Sequence, residues 1–341
     1  MDLQRRTLLT RAAAAFGISV LPACDPPRKL WDSGDTAGGA PLAGETLDGT
    51  QCTLTRVTSN EEFYITSYRG SWAVEAESWA LTIDGLVSSP VRLDHPALQA
   101  LPGREREHTL VCVSAGPSYP AISNTIWTGL PLAEVLSQLG VTVDSAARYL
   151  HLFGADGYQT QIPVTDLDDR EIWLVWQMNG EPLPEAHGYP ARLLVPGRYG
   201  MKNPKWITGV RPSAEPLVGT WEASGWSDDC TVRPGAFLLW PGVLDTVRTG
   251  TVYLVGAAFC GEVPISRVEV QIDEGPWVEV ELAHGGASVW TLWCHRWDAG
   301  LGDHTLRVRV TAADGQTSDP ELDGSDRGGW GGILERNLTV E

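Results

Sequence analysis

The stretch MNGEPLPEAHGYPARLLVPGRYGMKNPKW, residues 178–206, is the most distinctive part of the sequence. From Arg192 to Lys205 it contains only basic charges, although acids outnumber bases by 43 to 25 in the whole chain. Pro196-Gly197 and Gly200 mark tight turns, where backbone amides and basic side chains can surround an anion together. The interleaved apolar residues predict a partly buried loop, in which unpaired cations are costly. Composition leaves two interpretations open, an anion site or a solvated basic face.

A single cysteine, Cys112, ends a short apolar run in the stretch LVCVSAGPSYPAISNTIWTGLPLAEVL, residues 110–136. The pattern places it where a strand gives way to a loop, with no second cysteine close enough for a CxxC pair. Its residue type allows a buried filler, half of a disulfide, a nucleophile or a metal ligand. The chain contains no GxxxxGK[ST], HExxH or GxSxG, so P-loop, zinc hydrolase and serine hydrolase chemistry lose their main support.

The N-terminal residues resemble an export signal. Arg5-Arg6 precede a weakly apolar stretch, residues 12–23, that is too short to span a bilayer. The pattern predicts a twin-arginine signal over 1–23, with a fortuitous Arg pair in an ordinary signal as the alternative. Leu-Pro-Ala before Cys24 resembles a lipobox, which predicts lipidation of Cys24 and anchoring in the bacterial periplasm or at the cell surface. Asp25 favours the inner membrane, and residues 24–55 are predicted to be a flexible tether.

The rest of the chain is predicted to form two domains. Short strands with interspersed helices, including a helix within LPLAEVLSQLGV (130–141) that ends at Gly140, indicate an α+β domain over 56–234. Strongly alternating segments follow, which predict an immunoglobulin-like β-sandwich over 235–341. The Trp-rich link between the domains is expected to fold back onto the first. The net charge of −18 makes nucleic acid an unlikely partner.

Six cysteines are present. With Cys24 lipidated and Cys112 reserved, four remain for two disulfides in an oxidising compartment. The predicted pairing is Cys260 with Cys294 and Cys52 with Cys230, although three pairings are possible.

The segments TLVCVS, IWTGLPLAEVL and MNGEPLPEAHGYPARLLVPGRYGMKNPKW resemble the signature regions of the sulfite oxidase family of molybdopterin enzymes, in particular its bacterial exported branch. The C-terminal segments are similar to the dimerisation-type domain appended to many members. The resemblance implies a molybdopterin-binding domain followed by that sandwich, one Mo-molybdopterin per chain, and oxygen-atom transfer on a small substrate. It also implies a possible homodimer.

The family pattern assigns roles residue by residue. Cys112 matches the catalytic thiolate ligand of molybdenum, a soft ligand that suits a metal among sulfur donors. The resemblance implies cofactor contacts for ten further residues: Phe63, Tyr64, Thr66, Tyr68, Asp156, His187, Arg192, Asn203, Pro204 and Lys205. The match at Arg198 and Lys202 is looser.

Two departures leave the substrate open. Val-Ser-Ala-Gly follows Cys112 and Thr66-Ser67-Tyr68 stands in the first cofactor strand, so the arginines that hold sulfite in the family are missing, and Arg69 lies one residue past its place. The substrate is therefore a small oxyanion or a sulfoxide or N-oxide. No haem or iron–sulfur motif is present, which implies a separate electron partner, a cytochrome or a membrane redox protein. The alternative is a lipid-anchored binding protein that retains the fold without catalysis.

Overall fold

The computed structural model describes residues 45–46, 52–242, 245–322 and 327–341. Three short helices lie within these ranges: α1 (His95–Gln99), α2 (Leu132–Gln138) and α3 (Asp166–Asp169). The strands of the N-terminal half are β1 (Glu45–Thr46), β2 (Thr53–Leu54), β3 (Ala80–Ile83), β4 (Val91–Asp94), β5 (Arg104–Val111), β6 (Ile122–Pro131), β7 (Tyr149–Gly154), β8 (Gln159–Pro163), β9 (Trp173–Met178), β10 (Glu181–Pro182), β11 (Arg192–Leu194) and β12 (Ile207–Ser213). The strands of the C-terminal half are β13 (Gly235–Trp240), β14 (Gly250–Phe259), β15 (Ile265–Ile272), β16 (Val278–Glu279), β17 (Glu281–Ala283), β18 (Thr291–Ala299), β19 (Gly302–Ala312) and β20 (Leu334–Val340).

The N-terminal half contains two larger sheets. One has the order β10-β9-β6-β5, with β11 also paired to β9, and the other has the order β4-β3-β12-β7-β8. Only β12 and β3 run parallel among the pairs described in these two sheets. The helices are few and short, so the half predicted to be α+β is mostly sheet. The strand before Cys112 is confirmed, since β5 ends at Val111.

Two predicted local features are confirmed in shorter form. The helix expected within 130–141 begins only at Leu132, because β6 continues through Pro131. Gly140 follows the helix with φ +68°, the left-handed conformation that ends many helices. Asn179 and Gly180, both with positive φ, form the two-residue turn between β9 and β10, as expected for Asn-Gly.

The C-terminal half consists of two four-stranded antiparallel sheets, with the orders β13-β14-β18-β17 and β16-β15-β19-β20. In β20 every second residue is buried, as the period-two pattern of a half-buried strand requires. The segment predicted as one strand, 276–283, is divided instead: β16 pairs with β15 and β17 pairs with β18, so the chain passes from one sheet to the other at Val280. The immunoglobulin type of this sandwich and the boundary at 235 stay predictions.

The two halves share a hydrophobic core. One cluster of buried side chains runs from Phe63 and Trp127 in the first half to Trp293 and Val308 in the second. A second cluster lies wholly within the N-terminal half, under α2. Removing either half would therefore expose buried apolar surface of the other, which is unfavourable in water.

The predicted disulfide pairing is wrong. Cys52 is bonded to Cys294, whereas Cys230 and Cys260 are buried thiols. Cys294 lies opposite Val255 in the β14–β18 ladder, while Cys260 follows the end of β14, five residues further along. At about 3.4 Å per residue that offset is roughly 17 Å, too far for a disulfide.

The predicted tether, 24–55, lies mostly outside the described residues, as do the signal and Cys24. At its end β1 pairs with β2, and Cys52 is cross-linked to the C-terminal half. None of the helices in the described ranges is long and apolar enough to cross a membrane.

We predict that reducing the Cys52–Cys294 bond, or the substitution Cys52→Ser, lowers the free energy of unfolding by about 2–5 kcal/mol, because the cross-link restricts the unfolded chain across 242 residues. Urea unfolding with and without reductant measures the difference. Peptide mapping without reductant should recover Cys52 joined to Cys294, and a Cys260–Cys294 peptide would contradict the assignment.

Candidate active site

A cavity of about 280 Å³ opens in the N-terminal half. Every predicted site residue within the described ranges lines it, although these residues come from four separate segments of the chain: Phe63, Tyr64, Thr66, Tyr68, Cys112, Asp156, His187, Arg192, Asn203, Pro204 and Lys205. The residue expected to be lipidated, Cys24, is not among the described residues. The fold therefore brings the predicted set together, while their roles stay predictions.

Cys112 lies directly after β5 with its side chain almost buried. Its Sγ is 3.2 Å from the Oγ of Ser114, and its backbone N–H donates to the carbonyl of Ala121. Gly200 approaches from the basic loop, where an added Cβ would lie 3.8 Å from the Cα of Cys112. No group of three or more potential metal-ligating side chains occurs in the described ranges. A metal here would have Cys112 as its protein ligand and would need its other donors from a cofactor.

Arg192 is a buried cation that has no carboxylate partner among the described residues. It lies on β11, and its two terminal nitrogens donate to the carbonyls of His187 and Asn203 at 3.1 and 3.2 Å. Its Nε is buried without a hydrogen-bond partner, and its guanidinium lies 5.2 Å from the ring centre of Trp127. Burial lowers the pKa of Arg192 to about 10. This charge has been removed from water without the acid that normally accompanies it.

Lys205 is the second such cation. Its Nζ donates to the carbonyl of Ala186 at 2.8 Å and lies 4.4 Å from the ring centre of Trp206. Burial, reinforced by repulsion from Arg192 and partly opposed by Asp156, lowers the pKa of Lys205 to about 7. The two positive charges repel each other, and an anionic ligand close to both would relieve that repulsion.

His187 stands between these cations as a neutral side chain. Its Nε2 lies 2.9 Å from the carbonyl oxygen of Asn60, an acceptor, so this nitrogen carries the proton. Burial lowers the pKa of His187 to about 4. Gly188 packs against both cations, because an added Cβ would lie 3.0 Å from Lys205 and 3.2 Å from Arg192.

The two other basic residues of the loop have a different role. Arg198 is paired with Asp166 and Asp229, and Lys202 is paired with Glu222 and Asp228. Neither Arg198 nor Lys202 lines the cavity. The basic run therefore contains two ion-paired residues outside the cavity and two cations in its lining, in agreement with the looser family match at Arg198 and Lys202.

The first cavity wall comes from residues 63–68. Phe63 stacks on Tyr64 and meets the His187 ring edge-on at 5.3 Å. Burial and the nearby Cys112 thiol hold the pKa of Tyr64 well above its ordinary value. The hydroxyls of Thr66 and Tyr119 lie 3.5 Å apart.

Asn203 and Asp156 contribute differently from the rest. The side chain of Asn203 is occupied by its own loop: its Oδ1 accepts from the N–H of Val195, and its Nδ2 donates to the carbonyls of Arg198 and Tyr199. It shapes the loop, and its backbone carbonyl holds Arg192. Asp156 is buried, and its Oδ1 accepts from the N–H of Tyr158 at 3.0 Å.

Several lining residues were not predicted, among them Ser67, Ser114, Tyr158, Met201, Trp221 and Trp226. The two tryptophans belong to the link that was expected to fold back onto the first domain, and they do line its cavity. Arg69, considered as a replacement for the missing arginines, is exposed over the Tyr68 ring and does not line the cavity.

The cavity residues fit a molybdenum–molybdopterin group. The buried Nε of Arg192 and the neighbouring charges of Arg192 and Lys205 suit its phosphate, since charge-assisted bonds to phosphate are strong. The thiol of Cys112 suits a metal whose other ligands are cofactor sulfurs.

Comparison with known proteins agrees with this fit. Residues 69–221 match the family model of the oxidoreductase molybdopterin binding domain. The uncharacterized oxidoreductase YuiH of Bacillus subtilis is 30% identical over 148 residues, which cover 43% of this chain and 72% of YuiH. The chain belongs to the sulfite oxidase family of molybdopterin-dependent oxidoreductases.

A further relative and a solved structure extend the comparison. Human mitochondrial sulfite oxidase is 28% identical over 272 residues, 70% of this chain, and the match spans half the length of that enzyme. The crystal structure of the sulfane dehydrogenase SoxCD from Paracoccus pantotrophus superposes with a TM-score of 0.73 at 18% identity, covering 91% of this chain and 96% of that one. The likeness to the SoxCD fold therefore extends through both halves of the protein.

We predict that substituting Arg198 lowers stability, whereas substituting Arg192 lowers cofactor content. Arg198→Met should destabilise the cofactor-free protein by about 3 kcal/mol, because it breaks a buried ion pair with Asp166. Arg192→Met should change the unfolding free energy by less than about 1 kcal/mol, because losing two hydrogen bonds is offset by removing a desolvated charge. Urea unfolding measures the unfolding free energy of both variants. The fluorescence of pterin released from the purified proteins measures their cofactor content, which Arg192→Met should abolish and Arg198→Met should not. Equal destabilisation by both substitutions would contradict the division of the loop.

The lowered pKa of Lys205 predicts a pH dependence in the cofactor-free protein. Between about pH 7 and pH 10 the unfolded chain keeps the Lys205 proton that the folded chain has lost. Stability should therefore rise with pH across this window, and Lys205→Met should remove that part of the increase. Chemical unfolding of both proteins at several pH values measures this increase. If the unfolding free energy rises equally with pH in both, the pKa of Lys205 is not lowered in the folded protein.

Proposed function

We propose that the protein is an exported molybdenum–molybdopterin oxidoreductase that transfers an oxygen atom to or from a small substrate. The proposal rests above all on one observation: Cys112 and the cations Arg192 and Lys205, neither of which is in an ion pair among the described residues, line one cavity. A thiolate suits the metal end of the cofactor, and the cations suit its phosphate end.

The residues divide the work between holding the cofactor and shaping its surroundings. Arg192 and Lys205 bind the phosphate, neutral His187 hydrogen-bonds the organic part, and Phe63 and Tyr64 exclude water from that side. Cys112 is the protein ligand of the metal, which supplies an exchangeable oxygen and a two-electron store when the cofactor is bound. The overall reaction is X + H₂O ⇌ XO + 2H⁺ + 2e⁻, where X is the substrate. One cofactor per chain is expected.

Electrons pass to or from a separate carrier under this proposal, a cytochrome or a membrane redox protein. The twin-arginine pattern over 1–23 and Cys24 support export and lipid anchoring, and the C-terminal half, as an immunoglobulin-like domain, supports a homodimer. A cofactor inserted in the cytoplasm gives a physical reason to export the chain already folded.

The Cys112→Ser substitution tests the proposal. Protein purified from a host that makes molybdopterin should contain about one molybdenum per chain by elemental analysis, and Cys112→Ser should abolish dye-linked turnover while leaving the unfolding midpoint within a few degrees. Cys260→Ser, which replaces a buried thiol outside the cavity, is the matched control and should keep both metal and turnover. Wild-type protein without molybdenum would favour a non-catalytic binding protein, and turnover by Cys112→Ser would exclude the thiolate role.

A further inference from the structure

One side of the cavity is aromatic. Tyr68, Tyr158, Trp221 and Trp226, here called the aromatic wall, all line it. The Tyr68 ring lies 6.4 Å from Tyr158 and 6.1 Å from Trp221, meeting the latter nearly at a right angle. Tyr158 is buried, whereas the other three are only partly buried. The wall therefore extends from the interior of the cavity to the side that solvent reaches.

The aromatic wall adjoins the thiol end of the cavity. The hydroxyl of Tyr158 donates to the carbonyl of Met201 at 2.5 Å. Met201 follows Gly200, the residue whose added Cβ would lie 3.8 Å from the Cα of Cys112. The Cys112 thiol is also close enough to contribute to the raised pKa of Tyr158. A molecule that reacts near Cys112 would thus have the wall beside it.

Lys202 holds the tryptophan-bearing segment of the wall. Its ammonium group is 1% exposed and contacts Glu222 at 2.5 Å and Asp228 at 2.9 Å. These acids flank the stretch that contains Trp226. The backbone N–H of Trp226 donates to the carbonyl of Trp221. Lys202 therefore fixes the segment and offsets the charge of two acids behind it.

The wall offers no cation to an anionic substrate. The cationic residues that line the cavity are Arg192 and Lys205, which the proposed function assigns to the cofactor phosphate. Arg69 lies 5.0 Å from the Tyr68 ring centre but is exposed and outside the lining. A small oxyanion would need charge-assisted donors here, whereas aromatic faces favour apolar groups and, where charged, cations.

We propose that the aromatic wall is a substrate subsite for the apolar group of an uncharged organic sulfoxide or N-oxide. In this inference, which rests on the proposed function, Trp221 and Trp226 determine specificity and Lys202 is a positioning residue. Reduction of R₂S=O at this site takes two protons and two electrons from the separate carrier and releases R₂S and water. An inorganic oxyanion such as sulfite lacks the apolar group that the wall binds.

The experiment compares two probes on the molybdenum-loaded protein, with a reduced dye as electron donor. The KM for methyl phenyl sulfoxide should be about tenfold lower than that for dimethyl sulfoxide, because the phenyl group is buried against aromatic surface. Trp226→Ala should remove that advantage with less than about a twofold change in kcat, and Trp226→Phe should restore most of it. Lys202→Met should act in the same direction as Trp226→Ala.

Arg69→Ala is the matched control and should leave both KM values unchanged. The subsite is overturned if Trp226→Ala keeps the phenyl advantage, or if sulfite, assayed with an oxidised dye as electron acceptor, has the higher kcat/KM and Arg69→Ala raises its KM. Either result with molybdenum present leaves the proposed function standing. Purified protein without molybdenum would overturn the proposed function and this inference together.

Discussion

The site depends on two neighbouring cations, buried Arg192 and partly buried Lys205, that form no ion pair within the described residues. Arg192 and Lys205 are held by backbone carbonyls and aromatic faces. Both charges lower the pKa of His187, and the charge of Arg192 also lowers the pKa of Lys205. Taking a charge out of water is unfavourable unless an opposite charge follows. An anionic ligand that enters the cavity supplies that charge, so ligand binding and the stability of this region are coupled.

The C-terminal half helps to hold the cavity, although it contributes no residue to its lining. The segment that ends in Phe63 and Tyr64 begins at Cys52, which is bonded to Cys294 in β18. Between them, the Arg56 carbonyl accepts from the indole N–H of Trp290, and the Asn60 carbonyl holds His187. A continuous series of contacts thus runs from the second half to the cavity wall. Packing between the two halves therefore helps to fix the position of the cavity wall.

The two ends of the cavity differ in chemistry: one is cationic and the other is aromatic. Its cationic loop lies within residues 69–221, which match the family model, while the side next to Cys112 is bounded by aromatic residues rather than arginines. Because substrate recognition depends on the groups beside the reacting atom, the fold common to the family leaves substrate choice to this second end. Lys202 shows how one basic loop serves both ends: it lies outside the cavity but fixes the tryptophan segment.

The sequence by itself determined the local features and the membership of the site. The Asn-Gly turn, the glycine after α2 and the strand before Cys112 follow from short-range preferences, whereas the predicted cavity residues followed from the resemblance to the sulfite oxidase family. It did not determine strand register, and so it missed that Cys294 faces Val255 rather than Cys260. It gave Arg198 and Lys202 a looser family match than Arg192 and Lys205, but it did not show which acids pair with them or that Trp221 and Trp226 line the same cavity as Cys112. Those outcomes depend on which acidic and aromatic side chains from distant segments pack together. Only the tertiary structure brings these side chains within contact distance.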